Sequence, residues 1–123
     1  MNELNRFFDW VKFSKGKEFQ VVSLSKWTDY KDKEKVLGTS VCCVITKDDT
    51  VYSSPEVSNL FEKIYFRIPA SLDLVCKYLK PSVTVFPTDP ACRLSGKPSG
   101  AFVNYNLSVE CRGFMTADGK KIL

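Results

Sequence analysis

LFEKIYFRI, residues 60–68, alternates as a β-strand does, yet it carries aromatic rings on the side that should meet water. Leu60, Ile64, Phe66 and Ile68 fall on one face, with Glu62 among them. Phe61, Lys63, Tyr65 and Arg67 fall on the other, ring and cation in turn. A solvated strand face is ordinarily built from Thr, Lys, Glu or Ser. Either protein covers the second face, or the face is made to touch something flat and negatively charged.

Working upstream, VLGTSVCCVIT (36–46) and EFQVVSLSKW (18–27) read as two more strands, rich in Val and joined by the polar loop TDYKDKEK. Gly38 inside the second of them predicts a bulge or sharp bend. KDDTVYSSPEVSN (47–59) is turn chemistry. In NELNRFFDWVKF the residues Leu4, Phe7, Phe8 and Val11 make one helical stripe, with Asn2 as N-cap and Gly16 as stop. This helix is expected to plug one end of the core; docking a partner is its other reading.

Downstream, PASLDLVCKYLKP (69–81) returns to helical spacing, with Leu72, Val75, Cys76 and Leu79 on one stripe and Pro81 barring continuation. SVTVF (82–86) predicts a fourth strand. PTDPACRLSGKPSG (87–100) holds three prolines and two glycines and reads as a long loop. AFVNYNLSVECRGF is a fifth strand, with Val103, Tyr105, Leu107, Val109 and Cys111 to one side and Asn104, Asn106, Ser108, Glu110 and Arg112 to the other.

The expected organisation is an N-terminal amphipathic helix (1–16), one barrel domain (17–115) and a loose tail (116–123). The fold class is mainly β (α+β), in the order α-β-β-β-α-β-β. Five strands with a helix between the third and fourth is the chain order of the OB-fold, a five-stranded Greek-key barrel. In that fold an oligonucleotide crosses strands 2 and 3, flanked by the loops between strands 1 and 2 and between strands 4 and 5. The first loop brings Tyr30, Lys31, Lys33 and Lys35 beside Trp27; the second brings Arg93 and Lys97. With Phe61, Lys63, Tyr65 and Arg67 these form the expected nucleic-acid-binding set: rings on which bases stack, and cations that neutralise phosphate. The competing reading packs Phe61 and Tyr65 under the N-terminal helix. Asp29, Asp32 and Glu34 interleave the loop lysines, so a merely solvated loop stays open as well.

The Lys-rich loop after SKW, the strand LFEKIYFRI and the closing NYNLSVECRGF together resemble the small OB-fold single-stranded-DNA-binding proteins of bacteriophages and integrative conjugative elements, over residues 18 to 114. The resemblance implies sequence-tolerant strand binding in replication, recombination or transfer. The ending GKKIL departs from the acidic, partner-recruiting tail of many such proteins.

The totals fit a non-enzymatic binder. In 123 residues there is no histidine, which removes Ser–His and Cys–His nucleophile pairs and the commonest neutral-pH base. The net charge of +4 tolerates a polyanionic partner without demanding one. SGK within ACRLSGKPSG fails as a phosphate loop, because Ala91 stands where the first glycine belongs and Pro98 where a magnesium-holding hydroxyl should be. Five cysteines without C-x₂-C spacing predict no zinc site; Cys42, Cys43, Cys76 and Cys111 are expected as small buried hydrophobes and Cys92 as a loop thiol. No cofactor or metal is expected, nor is a signal peptide or a membrane span, which favours a reduced, cytoplasmic setting. The partner expected is single-stranded DNA in preference to RNA. The alternatives are a module docking on a host protein and a homodimer joined through its aromatics.

Overall fold

A computed structural model describes the backbone of residues 10–49, 60–99 and 102–123, and their side chains except for 93–107. The elements are α1 (Trp10–Ser14), β1 (Lys17–Thr28), β2 (Val36–Asp48), β3 (Lys63–Ile68), α2 (Leu72–Tyr78), β4 (Thr84–Thr88), β5 (Ala91–Ser99), β6 (Phe102–Glu110) and β7 (Gly113–Met115). They form one mixed sheet in the order β5-β6-β3-β2-β1-β4-β7. All neighbours pair antiparallel except β3 and β6, which run parallel.

The expected five-stranded order is thus replaced by seven strands among the described residues. The segment 87–100 is not a loop: β4 runs through Pro87, and β5 occupies Ala91–Ser99. Proline removes a ladder donor, so a strand tolerates it where one side is unpaired. β4 meets β1 only at Thr84 and Val85, and Pro87 lies beyond them, opposite Phe114 of β7. Pro98 lies on β5, at the sheet edge. The end of the chain is also tied down, although its composition suggests a loose tail. Ile122 N–H donates to Phe114 O at 2.9 Å, and Met115 bridges Lys121.

The sheet curls around a single core. In strand order β3 and β7 are four steps apart, which in a flat sheet is roughly 19 Å. Their rings Phe66 and Phe114 nevertheless stand 5.8 Å apart, edge to face. A barrel-like curl is the only way to bring them together. Phe19, Val21, Val41, Cys43, Ile45, Ile64, Phe66, Ile68, Val85 and Val109 line the concave side. Helix α2 closes it with Val75 and Leu79, its Ser71 cap accepting from Leu74 N–H. The stripe read from sequence is half right here: Leu72 is only partly covered and Cys76 is exposed.

Helix α1 docks by rings that lie off the expected stripe. Trp10 stacks on Phe19 at 5.4 Å and meets Phe66 edge-on at 5.8 Å, while Val11 is 75% exposed. Two rings bury more apolar area than a valine, and they set the helix's rotation. Leu4, Phe7 and Phe8 lie outside the described residues. Gly16, at φ 75°, ends the helix as a left-handed cap. Beneath it Lys17 Nζ donates to Phe13 O at 2.8 Å and pairs with Asp48 Oδ1 at 3.3 Å; both side chains are almost wholly buried.

Candidate nucleic-acid interface

The convex side of β3 carries the candidate site. Ile64, Phe66 and Ile68 point into the core, so Lys63, Tyr65 and Arg67 point out. The register places Val44, Cys42 and Ser40 of β2 beside Lys63, Tyr65 and Arg67. Ser23 and Ser25 of β1 continue the rows of Cys42 and Ser40, and Ser108 and Glu110 of β6 flank Tyr65 and Arg67 on the other side. Tyr65 therefore rises, 44% exposed, from a floor made mainly of small side chains. A broad, low platform with one standing ring suits a flat ligand laid against it.

Two of the four residues expected to project together do so differently. Arg67 is only partly exposed, its guanidinium carbon 5.8 Å from the Trp27 ring centroid. Such stacking is worth about 0.5–1 kcal/mol at an exposed site. Phe61 precedes β3 in a turn, so strand alternation does not aim it. Its N–H donates to Ile45 O at 2.7 Å, its φ is 67°, and its ring is 74% exposed. A left-handed non-glycine residue costs roughly 1–2 kcal/mol, and here a bulky ring gains little burial in return. Strain of this kind collects at functional positions. Phe61→Gly is accordingly expected to raise stability by about 0.5–1 kcal/mol in urea unfolding, because the strain relieved exceeds the entropy of an added glycine. A loss of stability would show that the ring supports the fold.

The described helix residues Trp10 and Phe13 pack on the core side, where the sequence left open a cover for Tyr65. The β1–β2 loop is ordered by its own acids: Lys31 N–H donates to Asp29 Oδ1 at 2.9 Å and Glu34 N–H to Asp32 Oδ1 at 3.1 Å. These Asx-type turns hold Tyr30 at 85% exposure, with Lys31 Nζ 5.7 Å from its ring centroid. Lys31, Lys33 and Lys35 are all exposed, in a tip that carries as many acids as bases. Arg93 and Lys97 belong to a strand, not to a loop; they pair in register with Ser108 and Asn104, and their side chains lie outside those described.

At the Arg67 end the platform falls into an open cleft of about 470 Å³, lined by Trp27, Arg67, Asp89, Glu110 and Arg112 among others. The strand alternation of 101–114 placed Glu110 and Arg112 on an outward face. What a single sequence could not supply is the parallel register that sets Glu110 beside Arg67. Asp89 enters because the chain turns between β4 and β5 with φ 48° at that residue. Arg67 Nε is buried there without a hydrogen-bond partner.

Burial holds three of the five thiols in their protonated form. Cys43 lies in the core, burial pushing its thiol far up; Cys111 is pushed up to about 12 and the half-covered Cys92 to about 11, both by burial. Cys42 sits on the opposite face from Cys43, as adjacent strand residues must. Among the described residues no cluster of three Cys, Asp or Glu groups could hold a metal ion, and no helix is long and apolar enough to cross a membrane. No family model, no curated protein and no solved structure matches the chain.

Proposed function

We propose that the chain binds single-stranded nucleic acid, DNA in preference to RNA, along the convex face of β2 and β3. The observation that carries the reading is the strip running from exposed Phe61 through Lys63 and Tyr65 to the Arg67–Trp27 stack. Bases stack on Tyr65 and Phe61 while Lys63 and the loop lysines meet phosphate. Along β3 the strip extends roughly 20 Å, room for several nucleotides.

In this reading β4 and β5 act as two halves of one strand broken at Asp89–Pro90. Four pairings support that Greek-key reading: β1 with β2 and with β4, β3 parallel to β6, and β5 in a hairpin with β6. The strip then occupies the face on which OB-folds hold oligonucleotides.

Tyr65→Ala is expected to weaken binding of a short oligo-dT by about 1–3 kcal/mol with little change in stability, since the ring is half exposed. Unchanged affinity would remove Tyr65 from the interface. Fluorescence tests the whole reading in a Trp10→Phe background, where only Trp27 reports. Quenching on addition of oligo-dT is expected, and a flat signal with unchanged mobility argues against it. A second reading, docking on a protein, is favoured by Leu74 and Tyr78, which are exposed one turn apart on α2. Retention by an apolar resin but not by heparin would select it.

A further inference from the structure

The cleft at the end of the strip differs in chemistry from the strip itself. A phosphate grip would gather cations alone. Here Arg67 and Arg112 line the same space as Asp89 and Glu110, with Trp27 in its wall. A phosphate entering it is set beside carboxylates as well as guanidinium groups, whereas a base can use donors and acceptors together. Among the bases, guanine presents that pattern along its exposed edges: O6 and N7 accept, and N1–H and the 2-amino group donate. Resting on the single-strand reading, we infer that this cleft holds one guanine base, stacked at Trp27, with arginine donors to O6 and N7 and the Asp89 carboxylate accepting from N1–H and the 2-amino group.

Three independent features support a site there. The volume of about 470 Å³ exceeds a single base and falls within the range of small-ligand pockets. Asp89 holds a left-handed backbone directly before a proline, a position with a conformational cost that delivers its carboxylate to the cleft. Arg67 keeps a buried Nε–H without a partner, an unsatisfied donor of the kind that sites tolerate and ordinary surfaces avoid.

The experiment compares labelled twelve-residue oligo-dT with the same oligomer carrying one central dG, dA or dC. The wild-type chain is expected to bind the dG oligomer roughly 5–10-fold more tightly than oligo-dT, and the dA and dC oligomers no more than twofold more tightly. Asp89→Gly suits the left-handed backbone and removes the carboxylate, and Arg112→Ala removes an exposed donor. Each should erase the dG preference, with oligo-dT affinity within about threefold of wild type. Equal binding of all four oligomers overturns the guanine site and leaves the single-strand reading standing. A preference for dA or dC also overturns it. Binding of none of them overturns both.

Discussion

Asp48→Ala is expected to lower stability by about 3–5 kcal/mol, the cost of removing one partner of a buried ion pair. Asp48 meets Lys17 at 3.3 Å, the two side chains 0% and 2% exposed, at a point where β1 and β2 are in register. Lys17 also donates to Phe13 O and lies 4.6 Å from the Phe13 ring centroid, so the pair ties the end of α1 to the sheet. With the carboxylate gone, the buried ammonium must draw in water or pull away from the helix. Each outcome loosens Trp10 from Phe19. Since a domain of this size is held by only about 5–15 kcal/mol, Asp48→Ala should unfold at much lower urea. Lys17→Met with Asp48→Leu should recover most of the loss, because an apolar pair needs no charge compensation. If Asp48→Ala unfolded at the wild-type urea midpoint, the pair would have no role in holding α1 down.

Gly38→Ala comes next, at about 3 kcal/mol, the upper end of what overpacking a dense interior costs. A Cβ there would lie 2.1 Å from Ile68 O and 2.9 Å from Pro69 Cα. Neither neighbour is a flexible side-chain tip, so β2 and the β3–α2 connection would have to part. The same contact positions the site: Trp27 is paired with Gly38, and a bulge follows where Thr28 takes Val36 as partner. Parting the strands would therefore swing Trp27 off Arg67 as well as lower the urea midpoint. A variant with wild-type stability and wild-type Trp27 emission would contradict this close approach.

The elements legible in the sequence were those whose pattern is local. Alternation found β1, β2 and β3 to within a few residues, and helical spacing with Pro81 found α2. Gly38 announced its bulge because only a residue without a side chain fits there. What stayed hidden depends on partners far along the chain. Pro87 and Pro98 argue for a loop until it is known that each lies where its strand has a neighbour on one side only. Nothing near residue 110 announces a parallel partner at 67, and nothing in KDD marks Asp48 as the mate of Lys17. In the candidate site, Lys63, Tyr65 and their exposure followed from period two. Phe61 did not, since a turn with a left-handed residue starts the strand three residues later than the pattern suggested. Asp89, Glu110 and Arg112 are brought to Trp27 by the curl of the sheet, which no short window encodes.

The claim on which the rest depends is that a single strand lies along Phe61, Lys63, Tyr65 and Arg67. Fluorescence anisotropy of a labelled twelve-residue oligo-dT, titrated with the chain at about 20 mM and about 200 mM salt, tests it most directly. With about three phosphates neutralised, binding is expected at micromolar concentration or below in the low-salt buffer, weakening roughly 100-fold in the high-salt one. No rise in anisotropy at the lower salt would contradict it.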